Sequence, residues 1–182
     1  MIAIFAVGLA LSGRHFDFID GKALGFTFEE NEVIVDCHTD QGVKVVMNHH
    51  CFINSDGTWG ITVDGGPENV SSYVVRVRPD KCLPKIYKVS VPKTGRPSLK
   101  IKRSDFVFGD LNGNDVVDSG DVLSVQDAVG IRKGDLEWTQ RSKRIEIAEP
   151  AQRFDFNRDG IIDAKDVSMV KVNLGKRASR SA

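Results

Sequence analysis

The sequence predicts a multi-domain chain: a small all-β sandwich followed by an all-α unit made of two loop–helix repeats. Two observations carry this. Between Ala23 and Ile101, short β-branched and aromatic runs alternate with turn signals, whereas beyond Ser104 the apolar spacing becomes helical. Within that second part, the stretch Asp110–Asp121 is answered 45 positions later by Asp155–Asp166. Aligned from those aspartates, seven of 21 positions are identical, which marks an internal duplication.

In chain order, Met1 to Leu11 is a nearly unbroken apolar run followed by Ser12-Gly13. It is too short to span a bilayer, which takes about 20 residues. No Lys or Arg precedes it, so it reads as a clipped secretory leader over residues 1–20, with a hydrophobic strand as the alternative. The strand runs are Phe26–Phe28, Val33–Val35, Val43–Met47, Trp59–Val63, Tyr73–Val77 and Ile86–Val91. Turn signals such as Asn54-Ser-Asp56-Gly57 and Asp64-Gly-Gly-Pro67 separate them, and six or seven strands so spaced suit an antiparallel sandwich over residues 21–103. From 104 to 176, each repeat sets helical apolar positions after its loop: Val122, Leu123, Val125 and Val129, then Val167, Met169, Val170 and Leu174. Gly130 and Gly175 suit left-handed helix ends. A further short helix is expected around Glu137 to Ile147, and Lys176, Arg177 and Arg180 belong to a frayed basic tail, placed at 177–182.

With 25 basic and 25 acidic residues the formal net charge is zero, so a nucleic-acid partner is not indicated. Cys37, Cys51 and Cys82 form no CxxC; two of them could pair in an exported protein, or all three could be small buried residues in strands.

The repeated loops have the oxygen spacing of a calcium site. Calcium takes about six to eight oxygens, and alternate residues of a tight loop point theirs at one centre. The expected ligands of the first loop are Asp110, Asn112, Asn114, the Val116 carbonyl, Asp118 and Asp121. In the second they are Asp155, Asn157, Asp159, the Ile161 carbonyl, Asp163 and Asp166. Val117 and Ile162, at position 8, should face each other and lock the loops together. The first loop has Asn114 at position 5, and so one carboxylate fewer, and it forces Asp115 at position 6 into a left-handed conformation that glycine adopts more readily. Two calcium ions are therefore expected, the second site being the tighter.

Position 12 is Asp in both copies, and neither loop has a helix on its N-terminal side, since Phe106-Val-Phe108 and Arg153-Phe154 read as extended. A duplicated loop-then-helix with Asp at position 12 resembles the dockerin family, over roughly residues 105–176. The resemblance implies a secreted or cell-surface, non-catalytic attachment module, folded by calcium and docking to a cohesin-like protein. Positions 10 and 11 are Ser119-Gly120 and Ala164-Lys165, unlike the near-identical pairs of the best-studied cellulosomal form. The repeats thus do not imply a symmetric partner face. The strand-rich segment ending at Val91 is similar to carboxypeptidase-regulatory-like sandwiches.

Other constellations have plainer readings. Cys37-His38 and His49-His50-Cys51 lack the short ligand spacing of a structural zinc site. Glu29, Glu30, Glu32 and Asp36 read as a solvated strand edge rather than a glycosidase pair. Trp59, Tyr73 and Tyr87 read as core, although an aromatic platform for polysaccharide is the alternative. Two competing functions remain: the C-terminal fragment of a secreted polysaccharide-degrading glycoside hydrolase, or a carbohydrate-binding sandwich carried on the calcium module.

Overall fold

The computed structural model of the chain describes residues 15–26, 32–66, 70–140 and 150–179. Seven strands occur among them, in two sheets. In the first, β1 (His15–Leu24) lies between β4 (Thr58–Gly66) and β7 (Ser98–Lys102). In the second, β2 (Glu32–Thr39) and β5 (Ser72–Pro79) are central, flanked by β3 (Lys44–Phe52) and β6 (Lys85–Ser90). The order is β4-β1-β7 and β3-β2-β5-β6.

The strict alternation read from the sequence is what fills the core. Val33, Val35 and Cys37 of β2, and Tyr73, Val75 and Val77 of β5, point to the buried face. Trp59, Ile61 and Val63 of β4 do the same from the opposite sheet. Gly21 sits opposite Trp59 in the β1–β4 register, and a Cβ there would come within 2.1 Å of the indole. A glycine is needed because the indole already occupies the space a Cβ would take. With Trp59 at 5% and Tyr73 at 1% exposure, the two offer no aromatic platform on the surface.

Three expectations are corrected here. β1 begins at His15, inside the stretch assigned to a leader, and Ile19 is fully buried in the sandwich; residues 1–14 lie outside those described. The run from His15 to Asp20 interleaves polar and apolar residues, a pattern that pairs readily with β4. The sandwich is not wholly antiparallel, because β7 runs parallel to β1. The expected strand at Phe26–Phe28 is not seen at Phe26, which is irregular and packs edge-on against Phe106; residues 27 and 28 are not described.

No disulfide joins the cysteines, and all three are buried. Burial pushes the Cys37 and Cys51 thiols up to about 12, so neither is poised as a nucleophile. His49 and His50 lie exposed on β3, with His50 Nδ1 2.5 Å from Glu32.

The C-terminal part contains α1 (Ser119–Ala128), α2 (Leu136–Thr139) and α3 (Ala164–Lys171), with single 3₁₀ turns at Arg103–Asp105 and Ala151–Phe154. It is less helical than "all-α" implies, because loops and isolated bridges fill the rest. The helix expected to reach Ile147 is seen only over Leu136–Thr139, and residues 141–149 are outside those described. Gly130 and Gly175 have φ of 94° and 84°, the left-handed values expected after each helix.

A second core, distinct from that of the sandwich, gathers Val117, Val122, Val125, Phe154, Ile162, Val167 and Val170. Leu83, from the β5–β6 connection, is buried in it. That connection ties the two parts together: Leu83 N–H donates to Val107 O at 2.8 Å, and Gly109 N–H to Lys81 O at 2.8 Å. Arg153 reaches Asp80 at 2.6 Å, and Lys81 Nζ lies over the rings of Phe154 and Phe156.

Candidate calcium centres

The two loops repeat each other nearly bond for bond. In the first, Asp121 Oδ1 accepts from Leu111 N at 2.8 Å and Asn112 N at 3.3 Å, while Oδ2 accepts from Asp118 N at 2.8 Å. In the second, Asp166 Oδ1 accepts from Phe156 N at 2.8 Å and Asn157 N at 3.3 Å, and Oδ2 from Asp163 N at 2.9 Å. Position 9 caps the helix in both: Asp118 Oδ1 accepts from Gly120 N, and Asp163 Oδ1 from Lys165 N. Positions 9 and 12 thus form a capping box, with Asp121 or Asp166 three residues into the helix. The short Asp side chain at position 12 closes the loop end to end and starts the helix.

The remaining donors also correspond. Asp110 Oδ2 accepts from Asp115 N at 3.1 Å, and Asp155 Oδ2 from Gly160 N at 2.9 Å. Asn112 and Asn157 each turn a side-chain oxygen onto the N–H two residues on, and Asn114 and Asp159 do likewise. Asp115 does adopt the left-handed conformation, with φ of 69°, where Gly160 has 84°.

The electrostatics ask for a cation. Asp121 and Asp166 are fully buried and Asp110 is 2% exposed. Carboxylates withdrawn from water are costly unless paired or metal-bound. Burial pushes the Asp110 carboxyl above its usual range, the N–H of Asp115 draws it back, and the charge of Asp121 raises it again. Asp155 Oδ1 is buried and meets no hydrogen-bond donor. Among the described residues, no three His, Cys, Asp or Glu side chains cluster as a metal-holding group. Each loop instead mixes carboxylates with Asn side chains and a position-7 carbonyl, the all-oxygen donor set that suits calcium, whereas zinc favours Cys and His. The residues fit calcium on the orphaned Asp155 oxygen and on the donor set.

Two further side chains act on the loops. Lys165, at position 11 of the second loop, places Nζ 2.9 Å from Asp159 and 3.7 Å from Asp163. The Lys165 contact, foremost, holds the Asp159 carboxyl below its usual range. In the first loop Gly120 stands at position 11, and Asn114 Nδ2 donates to Asp118 at 3.1 Å; that bond, foremost, holds the Asp118 carboxyl low. The second is the Asp115 side chain, which turns to Arg76 of β5 at 2.5 Å.

The loops are not locked to one another as expected. Val117 and Ile162 share one core, both fully buried, but each pairs its backbone with the segment following the other repeat's helix. Val117 N–H donates to Lys176 O, and Gly175 N–H to Val117 O. Ile162 N–H donates to Ile131 O, and Gly130 N–H to Ile162 O. The glycine after each helix turns the chain back so that it covers the other loop. Similar bonds correct the start of the tail expected to fray: Arg177 bridges Val116, and Ala178 N–H donates to Asp115 O at 2.9 Å, whereas Arg180 and the two residues after it lie outside those described.

No curated protein matches the chain. Among solved structures, it is similar to a chain in the crystal structure of an N-terminal interface mutant of a type II cohesin–X-dockerin complex from Acetivibrio cellulolyticus. The identity is 17%, over 89% of this chain and 97% of that one, with a TM-score of 0.54. A C-terminal interface mutant of the type II complex from the same organism gives 16% identity, the same coverages and a TM-score of 0.51. At such identities the likeness is one of fold, and at 89% of this chain it takes in the β-sandwich and the two loop–helix repeats together. Residues 108–175, which hold both loops and all three helices, match the family model of the dockerin type I domain.

Proposed function

We propose that this chain is a non-catalytic attachment module that binds two calcium ions and docks to a cohesin-like protein outside the cell or at its surface. The observation that carries the reading is the pair of equivalent loops around buried carboxylates, with Asp155 Oδ1 left without a donor. Asp110, Asn112, Asn114, Asp118, Asp121 and the Val116 carbonyl would hold one ion. Asp155, Asn157, Asp159, Asp163, Asp166 and the Ile161 carbonyl would hold the other. The ion supplies positive charge that lets these carboxylates stay together; the chain's own capping boxes then start α1 and α3 in fixed directions. The dockerin family match and the fold shared with cohesin–dockerin complexes support the partner. A partner face is at hand between the helices, where the exposed Val129 lines a cavity of about 340 Å³ with Gln126, Ala164, Val167 and Lys171; Leu123, Met169 and Val172 are exposed elsewhere on or after the helices. Its two halves differ in sequence, which favours a single docking orientation. The two-sheet arrangement is compatible with the similarity to carboxypeptidase-regulatory-like sandwiches, and the sandwich serves here as a support.

The test is capture of the full chain by immobilised type I and type II cohesin modules, with calcium and with EDTA. Retention in calcium and release in EDTA is the expected result; no retention by either type in calcium would refute the partner.

We also propose that the second site is the tighter, on four carboxylates against three, with Lys165 narrowing the gap because its ammonium must give up Asp159 to the ion. Lys165→Gln should therefore tighten the second site by roughly three- to tenfold, the scale of one screened charge interaction. Calorimetric titration of the variant checks this. Asp155→Ala should cost more stability in calcium than Asp110→Ala, and equal losses would refute the ranking.

A further inference from the structure

The first calcium loop is not self-contained. Its sixth residue, Asp115, is held from three directions: its N–H on Asp110, its carbonyl by Ala178, and its carboxylate by Arg76 of the sandwich. Arg76 bridges, with Nη1 3.0 Å from Asp36 of β2 and Nη2 2.5 Å from Asp115. Asp36 is itself fixed by its cross-strand register with Arg76 and by the Asn48 N–H at 2.7 Å. Two residues along β5, Arg78 Nη1 donates to the Gly113 carbonyl at 3.2 Å. It packs so closely that a Cβ on Gly113 would lie 2.5 Å from that nitrogen. The second loop repeats the two backbone holds, with Gly160 N–H on Asp155 and the Gly160 carbonyl accepting from Lys133 N–H at 2.9 Å, but Gly160 has no side chain for an arginine to grip.

We propose that Arg76 and Arg78 are positioning residues for the first calcium loop, so that this loop reaches its ion-binding shape only with the β-sandwich docked against it. The inference rests on the calcium reading above. The physical reason is local. A left-handed aspartate is less favourable than a left-handed glycine, and the Arg76 bridge holds Asp115 there, with its N–H aimed at the ligand Asp110. Position 6 is thus an interdomain contact in the first repeat and a plain turn in the second. By linkage, an ion in the first loop must strengthen the docking of the sandwich by the same factor, which makes the module stiffer when filled.

Charge and position have to be separated in the test, because deleting an arginine also removes a cation near the site. Arg76→Lys keeps the charge but has one nitrogen, which cannot reach both Asp36 and Asp115 as the forked guanidinium does. Calcium titration of the full chain, with each loop read separately in an Asp155→Asn or an Asp110→Asn background, is the experiment. The expected result is a fall of about tenfold in affinity for the first loop and no change in the second. Adding Arg76→Lys to Asp115→Gly should then produce little further change. Unchanged first-loop affinity overturns the proposal, and so does an equal fall in both loops, which would mean general destabilisation. Absence of calcium binding by the unsubstituted chain would sink the calcium reading itself, and this inference with it.

Discussion

Asp155→Asn is expected to change the sign of its effect with calcium: destabilising when the ion is present, stabilising when it is chelated. One oxygen of Asp155 accepts from Gly160 N–H at 2.9 Å, and asparagine keeps that bond through its own carbonyl. The other, Oδ1, is buried and meets no donor, so in EDTA that oxygen has no hydrogen-bond partner. Replacing the carboxylate with a neutral amide removes one negative charge from a loop of four carboxylates, which should gain about 1 kcal/mol, the scale of one charge pair. In calcium the amide nitrogen turns its hydrogens on the ion. The variant then forfeits the linkage stabilisation of the second site, about 2.7 kcal/mol at a hundredfold excess over Kd. Thermal unfolding of the full chain in both buffers measures the pair of effects. Destabilisation in both would contradict the account, because it would show that the carboxylate stabilises the fold without the ion.

Phe154→Ala should produce the largest loss of any substitution outside the ligands. Phe154 is fully buried, stacks edge-on with Phe156 at 6.3 Å, and has Lys81 Nζ 5.4 Å above its ring. Removing a buried phenylalanine costs about 3–5 kcal/mol. The chain leaves Phe154 directly into Asp155, so the cavity also loosens the entry to the second loop. Affinity at that loop should fall along with stability, while the first loop keeps its affinity. Urea unfolding gives the first effect and calcium titration the second. A loss below about 1 kcal/mol would show that the aromatic cluster is not what joins loop to core.

What the sequence revealed here is what local chemistry determines. The repeated oxygens, the glycines after each helix and the left-handed Asp115 follow from spacing and from φ preferences, and the chain places them accordingly. The alternation of β2, β4 and β5 specifies their buried faces for the same reason. Contacts between distant segments had no such signature. The parallel pairing of β7 with β1 leaves no mark in either strand's own residues, because both pairings share period two. The cross-pairing of Val117 with Lys176 and of Ile162 with Ile131 depends on how the repeats come together. Arg76 falls on the less buried side of the alternating strand β5, and that this side meets Asp115 is tertiary information. The one available hint was Asp115 itself, a residue less suited than glycine to its left-handed turn.

The central claim is that the two loops are paired calcium sites on which the helices depend. Isothermal calorimetry of the chelator-stripped full chain, followed by circular dichroism across the same titration, tests it most directly. The account predicts close to two ions bound per chain, with helix gained in step and the β signal unchanged. No heat and no gain of helix would contradict it, and would leave the loops as capped turns that hold α1 and α3 without a metal.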